Sequence, residues 1–297
     1  MFPLQSGQHK HVFPVVLGLC ALLGGCGTRW FLHVTPRTFD TRLKLFLGGG
    51  GNASVLLDGR EDALLVDTKF GDFSKRLRRE VEVELARKVR RIVLTHAHFD
   101  HAGGLRLFPD VGVVLVHPNA RRRLEAEGVR APFVEVEGEV RILVDGEEVR
   151  VLSRGGGHTD GDLVALIARR KLLVAGDLIN NGFEPYCDPE YGGDIFELAR
   201  TLPRLMTLDF EQVVPGHGEV MPREKAQQLS DYLQALESQV RAARAAGMTE
   251  DQVVAKVTLP EYPLDPFLGV ITSRQGSVRA MFKSLARAEN PAMKKEG

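Results

Sequence analysis

Four short aliphatic runs in this chain each end at a histidine or an aspartate. Ile92-Val93-Leu94-Thr95 runs into His96, and Val149–Ser153 leads through a glycine run to His158. Leu172-Leu173-Val174-Ala175 reaches Asp177, and Val213-Val214 reaches His217. Runs of this length, rich in valine and leucine, form strands buried on both faces. Polar groups at the carboxyl ends of such strands are held by a rigid scaffold while they face an open cleft. The pattern therefore predicts a functional site built along one edge of a sheet.

Strand-length runs alternate with helix-length amphipathic ones. Strands are predicted at Thr41–Leu47, Ser54–Leu57, Ala63–Val66, Arg91–Thr95, Val113–Val116, Val149–Ser153, Val164–Ala168, Lys171–Ala175 and Gln212–Val214. Helices are predicted over Phe73–Lys88, Asn119–Glu127, Asp194–Leu208 and Glu224–Ala246, with two more near the C-terminus. Gly247 is placed to end the long helix, and Thr249 with Gln252 forms a capping box for the next. No repeat or low-complexity block interrupts residues 40–290, so a single α/β domain with helices covering the sheets is expected. Thirty-nine basic residues balance thirty-nine acidic ones, so no overall field draws the chain toward nucleic acid. The arginine-rich stretches Arg76–Arg79 and Arg121–Arg123 carry interspersed acids nearby and read as solvated helix faces.

The densest signal is His96-Ala97-His98-Phe99-Asp100-His101, which places three of the nine histidines and an aspartate within six residues. Imidazole and carboxylate are the ligand set of zinc and similar first-row metals. On a loop after a strand, residues two apart can face one ion while Asp100 and His101 turn toward a neighbour.

Thr95–His101 followed by Ala102-Gly103-Gly104 resembles the signature of the metallo-β-lactamase superfamily. Gly157-His158-Thr159-Asp160-Gly161-Asp162, Ala175-Gly176-Asp177 and Pro215-Gly216-His217-Gly218 resemble three further motifs of that family, in family order over roughly residues 40–220. The resemblance implies a four-layer αββα sandwich and two divalent ions, zinc foremost, with iron or manganese as alternatives. It assigns His96, His98 and His158 to the first metal and Asp100, His101 and His217 to the second, with Asp177 bridging both. Asp100 also becomes the candidate catalytic residue, orienting the nucleophile or accepting its proton. Two ions about 3.5–4 Å apart independently call for a shared anion and a shared hydroxide nucleophile.

The details narrow what the resemblance implies. His98 stands where the redox-active di-iron members carry glutamate. His101 replaces the arginine of one β-lactamase class, and no cysteine stands near Asp177. A bridging aspartate is typical of glyoxalase II-like thioesterases and of lactonases. The expected function is a dinuclear hydrolase of an ester, thioester or lactone-type small molecule. The alternatives are β-lactamase or phosphodiesterase activity, a di-iron persulfide dioxygenase-like oxidoreductase, and a noncatalytic binding lipoprotein.

The N-terminal segment reads as an address. A weakly basic start precedes an apolar run, Val12–Gly25, of fourteen residues, short of the ~20 needed to span a bilayer. Leu23-Gly24-Gly25-Cys26 resembles the bacterial lipobox, with Gly24 where alanine or serine is commoner. The expectation is a signal peptide over residues 1–25, a tether over 26–39, and a domain over 40–290 with C-terminal helices from about 222. Lipidated Cys26 would anchor the exported protein at a membrane, facing the periplasm or the cell surface. Cys20 falls in the discarded segment and His33 in the tether.

Other candidates receive plainer readings. His117 reads as a structural histidine, with a role behind a metal ligand as the alternative. The Gly48–Gly51 run lacks the lysine and helix of a phosphate loop, so it reads as a tight hairpin passing near the cleft. Gly155-Gly156-Gly157 is read as room for the backbone to approach the metals. In the loop after Asp177, Asn180, Asn181, Tyr186 and Tyr191 are candidate oxyanion donors, a plain surface connection being the alternative. Cys187 has no assigned role.

Overall fold

The computed structural model describes residues 33–58, 61–262 and 273–289. The signal segment and Cys26 lie outside the described residues. Two sheets form from consecutive halves of the chain. The first runs in chain order through β1 (Val34–Thr38), β2 (Leu43–Gly48), β3 (Ala53–Asp58), β4 (Asp62–Val66), β5 (Lys88–Val93), β6 (Val113–Val116) and β7 (Phe133–Glu135). The second contains β8 (Glu139–Val144), β9 (Glu147–Leu152), β10 (Val164–Ile167), β11 (Leu172–Gly176), β12 (Gln212–Pro215) and β13 (Met221–Pro222), ordered from β13 back to β8.

The period-2 alternation of strand side chains sorts these apolar runs into three cores. Leu43, Leu45, Val93, Leu115, Ala165, Ile167, Leu172, Val174 and Val214 pack between the sheets. Phe46, Leu65, Ile92, Val114 and Val116 face outward beneath α1 (Gly71–Arg79), through Leu77, and α3 (Pro118–Ala126), through Leu124. Val164, Leu166, Leu173 and Val213 face the other way, beneath α4 (Ile195–Leu205), α5 (Arg223–Ala245) and α7 (Arg274–Glu289). Helix, sheet, sheet, helix is the expected αββα order. The other α-helices among the described residues are α2 (Phe99–Ala102) and α6 (Glu250–Lys256). The Thr249–Gln252 capping box is present, and Gly247 adopts a left-handed φ of +76° just past α5.

Three expectations need correction. Residues 34–38 are not tether: Val34 is buried and the segment pairs antiparallel with β2, Val34 opposite Gly48. The helix expected over Phe73–Lys88 ends sooner, widening into a π-turn over Glu80–Glu84 that closes with Leu85 N–H to Glu80 O before Ala86 turns left-handed. The glycine run 155–157 serves helix packing, since a Cβ on Gly157 would lie 2.7 Å from Leu198 Cα and one on Gly155 2.4 Å from Thr201 Oγ1. The Gly48–Gly51 turn is the expected hairpin, joining β2 to β3. Gly48, Gly49 and Gly50 all have positive φ there.

Candidate metal centre

The sheets bring their carboxyl ends to a common edge. His96 lies just past β5, where Thr95 N–H donates to Asp67 Oδ1 at 2.8 Å. His98 then caps α2 in an extended conformation, and the single helical turn that follows aims Asp100 and His101 back at the same space. The second sheet supplies His158 after β9, Asp177 after β11 and His217 after β12. Glycines allow the close approach: a Cβ on Gly176 would meet Thr95 at 2.6 Å, and Gly216 leaves no room for one beside Asp177. The two loops are stitched by Leu163 N–H donating to Thr95 O at 2.7 Å.

All seven sequence-predicted residues meet here, in three triads whose ligand atoms lie within 4.8 Å of one another: His96–His98–His158, His96–His101–Asp177 and Asp100–His101–His217. Each triad draws on both sheets. His98 Nδ1 is 3.1 Å from His96 Nε2 and 2.8 Å from His158 Nε2. Asp100 Oδ2 is 3.3 Å from His217 Nε2 and 3.8 Å from His101 Nε2. Asp177 reaches both groups, Oδ2 lying 3.2 Å from His217 Nε2 and 3.5 Å from His158 Nε2, and Oδ1 3.1 Å from His101 Nε2.

These spacings fit cations. Metal–ligand bonds of about 2.0–2.2 Å put the corners of a tetrahedron about 3.3–3.6 Å apart. Buried His101 Nε2 and Asp177 Oδ1 face each other with neither satisfied by a hydrogen bond, as expected of atoms shaped for an ion. Burial, and then the neighbouring imidazoles, hold His96 well below the usual histidine pKa. Burial likewise takes His158 down to about 4. Their lone pairs are thus available at neutral pH. Burial pushes against charge on His101 as well, but Asp177, Asp100 and Asp67 outweigh it and hold that imidazole well above the ordinary value. Burial also opposes the Asp177 carboxylate, yet His217, His101 and His158 keep it well below the ordinary range.

Partners to which the sequence reading gave no such role hold the opposite ring nitrogens. His98 Nε2 donates to Asp188 Oδ2 at 3.0 Å, His101 Nδ1 to Asp67 Oδ2 at 2.8 Å, and His158 Nδ1 to Tyr186 O at 2.9 Å. Thr95 Oγ1 lies 3.0 Å from His96 Nδ1. Such partners fix the tautomer and aim the ligand. The oxyanion candidates mostly serve structure. Asn180 Oδ1 accepts from His217 N–H, Asn181 Nδ2 donates to Glu219 O, and Tyr191 OH donates to Glu127. Tyr186 is 44% exposed above His158, and Phe99, between the candidate ligands His98 and Asp100, is 46% exposed. With Tyr191 edge-on 4.5 Å from His98 and Phe183 5.8 Å from His217, they rim the site with aromatic surface. His117 caps α3, its Nδ1 accepting from Asn119 N–H, the structural role expected. Cys187 packs against the helix-side core.

A family model described as the metallo-beta-lactamase superfamily matches residues 47–217, from the glycine hairpin to the last histidine. The chain belongs to the metallo-β-lactamase superfamily. Among superfamily relatives, the metallo-beta-lactamase type 2 of Bacillus cereus is 24% identical over 174 residues, covering 57% of this chain and 68% of that protein. The acyl-coenzyme A thioesterase MBLAC2 of Homo sapiens is 28% identical over 229 residues, covering 63% and 81%. The solved metallo-beta-lactamase from Pontibacter korlensis superposes with a TM-score of 0.61 at 20% identity, covering 68% of this chain and 99% of that one, a likeness of superfamily fold. Relatives in this superfamily are hydrolases, and the His/Asp cluster here is able to hold metal.

Proposed function

We propose that this protein is a dinuclear, zinc-dependent hydrolase of ester, thioester or lactone substrates, exported and held at a membrane through Cys26. The observation that carries the reading is the Asp177 carboxylate, whose one oxygen lies within 3.5 Å of a histidine from each ligand group. Divalent ions bound there would supply Lewis acidity toward a carbonyl oxygen and bring a water's pKa toward about 7. His96, His98 and His158 would hold one ion, Asp100, His101 and His217 the other, and Asp177 both. Asp100, at the mouth of the site, is the proposed proton acceptor that orients the attacking water. The rim of Phe99, Phe183, Tyr186 and Tyr191 suits an apolar acyl group and excludes water from it. The human relative named as an acyl-coenzyme A thioesterase supports the acyl reading. The likeness to the Bacillus cereus β-lactamase supports β-lactam hydrolysis as a second, minor activity.

The test is metal analysis of the purified protein, followed by a screen of acyl thioesters, lactones, phosphodiesters and cephalosporins. Thioester or lactone turnover with two zinc ions per chain is expected. His96→Ala and Asp177→Ala should each reduce turnover by more than the about 10–100-fold that loss of an outer partner costs. Unchanged turnover in both variants would place the chemistry elsewhere.

A further inference from the structure

Lys69 is fully buried, and its Nζ donates to Gly48 O and Gly51 O, each at 2.6 Å. A buried ammonium is costly, and burial draws Lys69 down to about 7 against the opposing pull of the nearby Asp100 and Asp67 carboxylates. It also sits at a left-handed φ of +57°, unusual for a side chain of this size. The backbone around it is tied to the ligand helix. Gly104 N–H donates to Lys69 O at 2.8 Å, while Thr68 donates to His101 O from both its N–H and its hydroxyl.

The same hairpin is tied on its other side by Asn52, which is also buried. Asn52 Oδ1 accepts from Gly48 N–H, and Nδ2 donates to Pro215 O and Gly218 O, all at 2.9 Å. Asn52 N–H donates to Gly216 O at 2.8 Å. The carbonyls so gripped flank His217. Between these ties the hairpin is wedged against the ligands: a Cβ on Gly51 would lie 2.4 Å from the His101 ring, and one on Gly50 3.1 Å from Asp100 Cβ.

We propose that Lys69 and Asn52, acting through the Gly48–Asn52 hairpin, are positioning residues for the second cation site, made by Asp100, His101 and His217. This rests on the dinuclear reading above. The hairpin contacts the second group and joins its two loops, whereas His96, His98 and His158 take their orientation from Thr95, Asp188 and Tyr186. The brace therefore acts on one ion and spares the other.

Zinc binding to the wild type, Lys69→Met and Asn52→Leu, measured by competition with a chromogenic chelator, tests this without any substrate. Both variants should bind the first zinc as the wild type does and the second about 10–100-fold more weakly. Equal losses at both sites, or an unchanged second site, would overturn the proposal. Hydrogen exchange on the wild type keeps it testable if the variants do not fold. The Gly48 and Asn52 amides should gain protection at the second equivalent of zinc and not at the first, and the reverse order would refute the brace. A wild type that binds only one zinc would instead sink the dinuclear reading, and zinc binding without any hydrolysis would sink only the enzymatic one.

Discussion

Asp188 holds no ion in this scheme, yet it decides how His98 is aimed. Asp188→Ala removes the acceptor at 3.0 Å from His98 Nε2, and first-site zinc affinity should fall about 10–100-fold in chelator competition while the second site is spared. Asp162 gives a pH signature. Its carboxyl accepts from Thr159 N–H and Oγ1, and burial raises its pKa from 3.8 to about 7. The folded state therefore binds the extra proton, so this stabilisation is full below about pH 4 and is lost as pH rises through about 7. In metal-free protein, urea midpoints of the wild type should fall across that window relative to Asp162→Asn, and parallel profiles would contradict it. The candidate ligands were legible because histidine is scarce here and four strands lead to one or to an aspartate. The same rule, applied to Leu64-Leu65-Val66, would have reached Asp67. Asp188 gave no such sign, because only the folded loop brings it to His98.

At the scale of elements, α4 carries Pro203 inside its last turn. Proline has no N–H to return to Ala199 O, and Gln234 Nε2 of α5 donates to that carbonyl instead. Gln234→Ala leaves a buried carbonyl unsatisfied and should cost about 1–3 kcal/mol. Pro203→Ala restores the helical donor, so a double-mutant cycle by urea denaturation should show the two changes coupled by about 0.5 kcal/mol or more. Strict additivity would refute the pairing. Buried strands were readable from their continuous aliphatic runs. β8 was missed although its turn, Asp145-Gly146, carries the two positive φ angles of a type I′ hairpin. Its alternating charges hid the strand. β1 was missed because all but its first residue are exposed at an edge, which leaves too few apolar positions to signal pairing.

For the molecule as a whole, the centre is both a site and a fastening. Each ion that binds only the folded state adds about 2.7 kcal/mol at a hundredfold excess over Kd, and the smallest shift is that of one filled site. At about 2–4 °C per kcal/mol for a domain of this size, zinc-loaded protein should melt about 5–11 °C above chelator-treated protein. Equal melting temperatures would show that the cluster takes up no zinc in the native state. The layer order was legible because aliphatic strands and amphipathic helices alternate. The division into two sheets was not, since no local pattern marks where pairing stops between β7 and β8. That division has a consequence for biosynthesis. Every triad borrows from the sheet made later, and the second triplet waits for His217. A chain stalled on the ribosome before β12 already carries the whole first triad but lacks His217, so its second candidate cation site stays open until the last strands of the second sheet are made.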